Sequence, residues 1–303
     1  SMNPPSKFEL PGLSVTLPFF LRRIRVSLRP RSGAAHRMPH DPAALRRDPS
    51  LTWVGHSTFL VRMDGASFVT DPMFSERASP FSFMGPRRMV PPGLPLDAVP
   101  QLNFVLLTHD HYDHADRPTV VQLARRGVPF VVPRGMAAWV RAAGGHAIEL
   151  EWWQHIELDG VKITCVPARH FSGRTLWDRN RRLWCGWVVQ GNTRSFYDAG
   201  DTAYPHHFEE IGKRLGPFDL ATVPIGAYLP TAMMHPVHTT PEEGFRIGKD
   251  VGARTIVAMH FGTFDLADEA VDEPARRFRA EADRQGWGTD RAWIMTVGET
   301  RLW

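Results

Sequence analysis

The sequence has only two cysteines in 303 residues, Cys165 and Cys185. Two cysteines cannot form the disulfide framework that stabilises small secreted domains, so nothing in the chain requires an oxidising compartment. The sequence also lacks any run approaching about 18 apolar residues, the length that a transmembrane helix needs. We therefore expect a cytoplasmic protein whose contact with a membrane is at most peripheral.

Compositional bias is missing as well. Hydrophobic residues make up 43% of the chain and charged residues 22%, which is typical of a globular domain and argues against disorder. At about 150 residues per domain, the length allows one large domain or two small ones. The sequence has no internal repeat and no low-complexity linker. We predict one hydrolase domain, residues 51–303, preceded by an N-terminal segment, residues 1–50.

The positive charge of the chain is concentrated in that N-terminal segment. It holds nine basic and three acidic residues, a net charge of +6, whereas the remaining 253 residues hold 27 basic and 29 acidic residues. Enzymes that act on nucleic acids usually carry basic patches on the folded surface near their site, so we expect no nucleic-acid partner. The basic residues alternate with apolar ones such as Phe19, Phe20 and Ile24, which is typical of a segment that contacts an anionic membrane.

Three prolines, Pro11, Pro18 and Pro30, divide the apolar part of the N-terminal segment. Because proline breaks the interior of a helix, we expect a short interfacial segment there instead of a long helix. A solvated arm is one alternative to membrane contact. The other is a segment that packs on the hydrolase domain and completes its core.

After residue 50 the hydrophobic pattern changes to short strands, and later to alternating helices and strands. Turn signals at Asp64-Gly65, Asp159-Gly160 and Gly191-Asn192 separate strand-like runs in the first part. Thr240-Pro241-Glu242-Glu243 has the capping hydroxyl, early proline and acidic first turn of a helix start. This order predicts an α/β fold of two mixed sheets with helices outside, an αββα sandwich.

The individual elements can be placed along the chain from the same patterns. The predicted strands are 51–54, 57–63, 66–70, 104–107, 128–132, 219–224, 255–259 and 292–297, with hairpins over 156–166 and 183–197. The predicted helices are 119–126, 136–143, 206–215, 241–250 and 273–285, and residues 72–100 are predicted to be a long loop.

The strongest functional signal directly follows the predicted strand 104–107. It is the pattern His-x-His-x-Asp-His, formed by His109, His111, Asp113 and His114. Imidazole nitrogen together with carboxylate oxygen is a ligand mixture that suits zinc. In an extended or turning loop alternate residues point the same way, so His109 and His111 can bind one ion while Asp113 and His114 face a second.

This cluster cannot complete two metal sites by itself, so other loops must supply further ligands. Loops at strand ends gather around the active site of an α/β fold. Three candidates occupy that position: His170, Asp201 and His260 each follow a predicted strand. Each is a weak signal alone, and their shared position is what makes them ligand candidates.

Further motifs accompany this order of ligands. They are Trp53-Val54-Gly55-His56, Thr70-Asp71-Pro72, Arg77-Ala78-Ser79-Pro80, Met84-Gly85-Pro86, Glu151-Trp152-Trp153, Phe208-Glu209-Glu210-Ile211-Gly212-Lys213-Arg214, Pro224-Ile225-Gly226-Ala227-Tyr228 and His260-Phe261-Gly262-Thr263-Phe264. With them, the chain from about Trp53 to Trp303 resembles the N-acyl-phosphatidylethanolamine-hydrolysing phospholipase D family of the metallo-β-lactamase superfamily. We find no such resemblance in the N-terminal segment.

The resemblance implies a metallo-β-lactamase fold that holds two zinc ions per chain. One zinc would be bound by His109, His111 and His170, and the other by Asp113, His114 and His260, with Asp201 bridging both.

The resemblance also implies roles for residues around the zinc ions. Asp71 would lie beneath the ligands and orient them, and His238 would lie at the substrate phosphate with Tyr228 nearby. His56 would either support a ligand or be a structural histidine. Asp110 stands where the animal enzymes of the family have asparagine, at a position that points away from the metals.

The activity that the resemblance implies is hydrolysis of a phosphodiester bond. Two zinc ions about 3.5–4 Å apart hold a bridging water and lower its pKa towards neutrality. The resulting hydroxide would attack phosphorus, oriented by Asp113 and Asp201, while His238 donates to the phosphoryl group. The substrate would be a phospholipid or a small phosphodiester. N-acyl-phosphatidylethanolamine would give phosphatidic acid and an N-acylethanolamine.

Other functions share these ligands. A lactonase or sugar-phosphate lactonase of the superfamily would have the same metal site. A nuclease would carry a large insertion between the later ligands, whereas the spacings of 31 residues from His170 to Asp201 and 59 residues from Asp201 to His260 leave room only for ordinary fold elements. A binding protein without activity would have broken ligands, and all seven are intact here. Iron or manganese instead of zinc, and a monomer or a homodimer, stay open.

Overall fold

Two mixed β-sheets form the centre of the computed structural model, which describes residues 12–28, 35–175, 177–205 and 207–303. The strands in this part of the chain are β1 (Ser50–Gly55), β2 (Thr58–Met63), β3 (Ala66–Thr70), β4 (Phe104–Leu106), β5 (Phe130–Pro133), β6 (Ala147–Leu150), β7 (His155–Leu158), β8 (Val161–Val166), β9 (Gly186–Gln190), β10 (Ser195–Asp198), β11 (Phe218–Pro224), β12 (Ala253–Met259), β13 (Ala292–Trp293) and β14 (Thr300–Leu302). The helices are α1 (Leu13–Leu28), α2 (Arg117–Arg125), α3 (Ala137–Arg141), α4 (His207–Leu215), α5 (Thr231–Met234), α6 (Pro241–Asp250) and α7 (Glu273–Arg284).

Each sheet has seven strands among the described residues. The first has the order β14-β1-β2-β3-β4-β5-β6 and the second the order β13-β12-β11-β10-β9-β8-β7. In both sheets one part is antiparallel, and the strands β3 to β6 and β10 to β13 run parallel. The predicted αββα architecture with two mixed sheets is confirmed.

The core lies between the two sheets and beneath the helices on either side. Phe68 of β3 stacks on Phe104 of β4 with ring centroids 4.8 Å apart, and it meets Phe196 of the second sheet edge-on at 5.8 Å. Helices α2 and α3 cover the outer face of the first sheet, where Val120 and Val140 are fully buried. Helices α4, α6 and α7 contribute buried side chains to the core of the second sheet.

The parallel strands decide where the site forms. Because the carboxyl ends of neighbouring parallel strands lie at the same edge of a sheet, the loops that follow them come together. The loops after β3 and β4 carry Asp71 and the histidine cluster, and those after β10 and β12 carry Asp201 and His260. Both sheets present these loops at the same edge of the sandwich.

Besides helix α1, three of these helices and strands were not predicted, and the last predicted strand was several residues too long. The unpredicted elements are β6, the four-residue α5 and β14. Among the described residues, strand β6 lies at the edge of its sheet and pairs only with β5. Strand β14 is fixed by its antiparallel pairing to β1, about 250 residues earlier. The strand predicted over 292–297 ends at Trp293, because the chain then turns to bring β14 beside β1. Such pairings depend on distant residues and leave little local signal.

Helix α1 contradicts the expectation that proline would break up this segment. It runs for 16 residues and contains Pro18. Phe19 is buried, Arg23 forms ion pairs with Asp265 at 2.9 Å and Asp268 at 3.0 Å, and the Ser27 hydroxyl donates to the carbonyl of Gly85 at 2.7 Å. These contacts offset a cost of about 3 kcal/mol for proline inside a helix. Pro11 and Pro30 lie outside the described residues.

Among the described helices, none has the length and apolar character needed to cross a bilayer. Helix α1, with 16 residues, is among those too short.

Candidate metal centre

The carboxylate of Asp201 lies at the middle of a buried cluster of histidines. Its Oδ2 atom is 3.1 Å from His260 Nε2, 3.3 Å from His114 Nε2, 3.7 Å from His170 Nε2 and 4.0 Å from His109 Nε2. The four histidines come from three different loops, after β4, β8 and β12. The structure therefore brings together residues that the sequence connected through their shared position at strand ends and through the family resemblance.

Three histidines form one side of the cluster. His111 Nδ1 lies 2.9 Å from His109 Nε2 and 3.2 Å from His170 Nε2, so three ring nitrogens face one point. All three residues offer a donor atom within 4.8 Å of one another. Three imidazoles converging in this way are a common zinc-binding arrangement.

The other side of the cluster is formed around Asp113. Its Oδ2 atom is 3.4 Å from His114 Nε2 and 3.4 Å from His260 Nε2. Both histidines also approach Asp201, so the Asp201 carboxylate lies between the two groups of histidines and could reach a metal ion in either. The division into two metal sites that the family resemblance implies stays a prediction, since His56 also offers a donor atom within 4.8 Å of Asp113, His114 and His260.

The donor atoms themselves fit metal ions. His114 Nε2, His260 Nε2 and Asp201 Oδ1 are buried and have no hydrogen-bond partner among the described residues. A buried polar atom without a partner is costly, and native structures rarely leave several together. Divalent cations bound by nitrogen and oxygen would satisfy all three atoms, so the site suits a metal centre.

The electrostatics of the cluster favour positive charge. Burial lowers the pKa of His114, but the carboxylates of Asp201, Asp113 and Asp71 outweigh it and raise the pKa well above its usual value. Burial raises the pKa of Asp201, yet His114 and His260 hold it well below its ordinary range. Three carboxylates thus attract a cation to a site from which water is largely excluded.

Asp71 fixes the orientation of His114 from below. Its Oδ2 accepts a hydrogen bond from His114 Nδ1 at 2.7 Å and another from the Thr108 hydroxyl at 2.6 Å, and Oδ1 accepts from the Thr108 amide at 2.7 Å. With Nδ1 donating to Asp71, the free Nε2 of His114 points at the centre, as a metal-binding histidine requires. Thr108 was not predicted as a site residue, because a threonine before a histidine motif carries no chemical signal of its own.

His56 supports the other carboxylate of the cluster. Its Nε2 lies 2.8 Å from Asp113 Oδ2, and its ring packs on that of His260 with centroids 4.2 Å apart. Burial, together with the neighbouring His260, lowers the pKa of His56 to about 3, so the ring is neutral and donates its Nε2 proton to Asp113. Of the two roles left open by the sequence, these contacts favour support of a ligand.

Backbone geometry shows that this support is built into the fold. His56, Asp71 and His260 have φ angles of 55°, 36° and 62°, in the left-handed region that non-glycine residues rarely adopt. The amide of His260 donates to the carbonyl of His56, which also accepts from the Trp53 indole at 2.9 Å. Strained residues of this kind persist only where the surrounding contacts hold them, and they gather at functional sites.

His238 lies at the rim of the cluster. Its Nδ1 is 3.8 Å from Asp201 Oδ2, and its ring centroid is 5.0 Å from that of His170. Burial lowers the pKa of His238 to about 3, although the Asp201 carboxylate acts against this, so the imidazole is neutral. Nδ1 has no hydrogen-bond partner in the described structure. It can therefore contact either a metal ion or a bound substrate.

Tyr228 has a different environment from the one that the resemblance implies. Its hydroxyl donates to Glu273 on α7 at 2.7 Å, and the guanidinium of Arg277 lies 4.8 Å from the centre of its ring. These contacts direct the hydroxyl to α7 and not to the histidines around Asp201. A catalytic role for Tyr228 remains a prediction without a supporting contact.

Asp110 and Phe171 connect the histidine motif to the loop that follows His170. The Asp110 carboxylate accepts from Arg182 at 2.7 Å and from the Gly173 amide at 2.8 Å, so it points away from the centre, as expected, and anchors the loop 171–183. That loop places Phe171 against His111, with ring centroids 4.4 Å apart. Neither residue could be assigned this role from sequence, since both depend on the path of a loop.

Comparison with known proteins agrees with this geometry. The family model of the beta-lactamase superfamily domain matches residues 67–261. The chain is 39% identical over 266 residues to N-acyl-phosphatidylethanolamine-hydrolyzing phospholipase D 1 of Caenorhabditis elegans, covering 83% of this chain and 74% of that one. The chain belongs to the metallo-β-lactamase superfamily, in the family of N-acyl-phosphatidylethanolamine-hydrolysing phospholipases D.

A second curated relative agrees with this placement, and a solved structure shares the fold. The mitochondrial N-acyl-phosphatidylethanolamine-hydrolyzing phospholipase D of Saccharomyces cerevisiae is 33% identical over 259 residues, which cover 82% of this chain and 55% of the yeast protein. The crystal structure of an isothiocyanate hydrolase from Delia radicum gut bacteria superposes with a TM-score of 0.65 at 22% identity, covering 84% of this chain and 99% of that one. The structural likeness supports the fold, and the expected family is confirmed. The protein is a metal-dependent hydrolase.

The contacts of Asp71 lead to a prediction about metal affinity. Asp71→Ala removes the acceptor that orients His114, so we expect metal affinity to fall about 10–100-fold with the fold retained. The matched control is Asp219→Ala, because Asp219 also accepts from a backbone amide and a hydroxyl, at 2.9 and 3.1 Å. Asp219 lies at the start of β11 in the second sheet, at the end away from the candidate metal centre. Competition with a zinc chelator measures the affinity. Equal losses in both variants would contradict the role of Asp71.

Proposed function

We propose that the protein is a zinc-dependent phospholipase D-type phosphodiesterase that cleaves N-acyl-phosphatidylethanolamine to phosphatidic acid and an N-acylethanolamine. The observation that carries the proposal is the position of Asp201 Oδ2, within 4.0 Å of histidines on both sides of the cluster. The two relatives named for this reaction, at 39% and 33% identity, support the substrate class.

The proposal assigns one zinc ion to each side of the cluster. His109, His111 and His170 would bind the first, Asp113, His114 and His260 the second, and Asp201 would bridge them. A pair of zinc ions in such a site supplies Lewis acidity and lowers the pKa of water towards neutrality.

The residues of the chain would position the reacting groups. Asp113 is held by His56 and has an oxygen directed to the centre, so it and Asp201 would accept hydrogen bonds from the attacking water and fix its direction. His238 would bind a phosphoryl oxygen. Since its imidazole is neutral, its contribution would be a hydrogen bond to the charge that develops there, and not a positive charge.

Product analysis tests the reaction. Purified metal-loaded protein, incubated with N-acyl-phosphatidylethanolamine, phosphatidylethanolamine and a simple lactone, should release phosphatidic acid and an N-acylethanolamine from the first. Mass spectrometry of the lipid extract measures both products. Turnover of the lactone with both lipids intact would instead identify the protein as a lactonase of the same superfamily.

Substitutions at Asp201 and His238 should affect metal binding and catalysis differently. Asp201→Asn weakens the proposed bridge, so zinc content should fall below two ions per chain and turnover should be lost.

His238→Ala should keep both ions while turnover falls about 10²–10³-fold, the usual effect of removing one donor to a developing charge. His235→Ala is the control, because His235 lies nearby but contacts Glu243 at 2.8 Å. Loss of zinc in His238→Ala would make His238 a ligand.

We also propose that helix α1 contacts the surface of an anionic membrane. Its outer face carries Leu17, Phe20, Leu21 and Ile24, whose spacing of three and four residues forms one apolar stripe that is 49–62% exposed. The opposite side of the helix binds the body through Phe19 and Arg23. The helix is thus apolar towards solvent, the reverse of an ordinary surface helix.

A neighbouring loop extends this apolar stripe. Phe81, Phe83 and Met84 are 48–73% exposed, and the loop is tied to α1 by a hydrogen bond from the Gly85 amide to Ser27 Oγ at 2.9 Å. We call these three residues and the α1 stripe together the apolar surface. Seven exposed large apolar side chains brought together in this way usually mark a site of protein or membrane contact. The basic residues of the N-terminal segment favour an anionic lipid surface.

Point substitutions on α1 test the membrane contact better than removal of the segment, because removal would also break the ion pairs to Asp265 and Asp268. Leu21→Glu/Ile24→Glu should weaken binding to phosphatidylglycerol-containing vesicles about tenfold or more, most visibly at low salt. Hydrolysis of a soluble phosphodiester and the melting temperature should not change. Leu302→Glu, at an exposed leucine of β14, is the control. If the melting temperature and the hydrolysis of the soluble phosphodiester both fell, the apolar stripe would instead be part of the packing of the hydrolase domain.

A further inference from the structure

A large groove lies beside α2, outside the cluster around Asp201. It has a volume of about 860 Å³ and is bounded by the outer face of α2, the loop 75–82, and the side chains of Trp139 and Arg174. We propose that this groove binds an anionic phospholipid, with the phosphate headgroup on the arginines of α2 and the lipid chains directed to the apolar surface. The site is distinct from the proposed catalytic one.

One face of α2 forms the floor of the groove. Arg117, Val121 and Arg125 are spaced by four residues and all line it, while Val120 and Leu123 on the other face are fully buried in the core. The two arginines are therefore about 12 Å apart along the helix axis, with an apolar residue between them. Both arginines are exposed.

The walls of the groove combine aromatic and cationic side chains. Phe81 and Pro80 line one side, and Trp139, Tyr112 and Arg174 line the other. Arg174 lies over the rings of Tyr112 and Trp139, with its guanidinium carbon 3.9 and 4.9 Å from the ring centroids. A groove that combines apolar side chains with several arginines suits a ligand that has an anionic head and an apolar body.

The charge of the groove favours an anion. Four arginines line it, against the two acids Glu76 and Asp116. Both acids already have partners: Glu76 binds Arg87, and Asp116 Oδ2 accepts from the hydroxyl of Ser75 at 2.8 Å and from Thr119. With both acids counted, the lining still carries two more positive than negative charges. Arginine forms strong paired hydrogen bonds with phosphate oxygens. We assign this chemistry to Arg125 and to Arg117, which also donates to the carbonyl of Ala142 at 3.0 Å.

The surroundings of the groove point to a lipid in particular. Phe81 lines the groove and also belongs to the apolar surface, where its ring meets that of Phe83 with centroids 5.6 Å apart. The groove is therefore continuous with the face that we propose to lie on a bilayer. An acidic peptide or a nucleic acid would gain nothing from this continuity, whereas a phospholipid would place its chains there.

Titration with a soluble phospholipid tests the site. The probe is dihexanoyl phosphatidate below its micelle-forming concentration, added to metal-loaded protein and followed by calorimetry. Arg117→Gln/Arg125→Gln should weaken binding about tenfold to thirtyfold at low salt, given the usual contribution of an arginine near an anionic lipid. Arg254→Gln, at the end of β12 opposite His260, is the matched control and should bind as the unchanged protein does.

Further titrations show whether phosphatidate binds in the groove or at the metal centre, and whether simpler anions bind equally well. Asp201→Asn should still bind the probe, because the groove does not use the cluster. Dihexanoyl phosphatidylcholine, inorganic phosphate and a glutamate-rich peptide should all bind much more weakly than phosphatidate. Binding that is lost in Asp201→Asn but kept in the arginine variant would overturn the proposal. So would equal binding of inorganic phosphate or of the acidic peptide, or the absence of saturable binding.

Because the arginine variant alters no residue of the cluster, the hydrolysis of soluble substrate should be unchanged in it. The titration can thus contradict the lipid groove while the proposed reaction stands. Product analysis can likewise contradict the proposed reaction while the groove still binds phosphatidate. The two proposals are distinguishable.

Discussion

The attraction between buried carboxylates and imidazoles at the edge of the two sheets is the interaction on which this structure depends. Asp201 is almost completely buried and lies near histidines from three loops. Without a cation, such a site leaves donor atoms unsatisfied and charges unbalanced, at a high cost in a dry interior. A metal ion bound by these atoms would offset this cost, and metal binding would then be coupled to the stability of the loops.

The loops are held in place by contacts one layer further out. Asp71 orients His114, and His56 orients Asp113, so each carboxylate–imidazole pair joins a candidate ligand to the body of the protein. His56 also links the two sheets, because its carbonyl accepts from the amide of His260 and its own amide donates to the hydroxyl of Thr263. The left-handed backbone at these positions shows how tightly the surrounding contacts determine the geometry.

Helix α1 connects the apolar surface to the same region. Arg23 binds Asp265 and Asp268, which lie in the loop that begins directly after the candidate ligand His260. The guanidinium of Arg88 packs over Phe264 in that loop, and Phe264 in turn meets the ring of His56 edge-on. The helix that carries the exposed apolar stripe is therefore attached to the loop that contains His260, so the proposed lipid contact and the candidate metal centre share one part of the structure.

The sequence by itself determined the elements with strong local signals. The capping box of Thr240 and Glu243 fixed the start of α6 at the predicted residue, and the Asp-Gly turns marked the hairpins. The histidine pattern after β4 identified metal chemistry, because few other functions place three imidazoles and a carboxylate in six residues. The tertiary structure alone decided what depends on residues far apart. It joined Asp201 to His170 and His260, gave His56 its partner Asp113, directed Tyr228 to Glu273, and allowed α1 to continue through Pro18. Local propensity is encoded in neighbouring residues, whereas these contacts form only when loops from two sheets meet, and their energies then outweigh local preference.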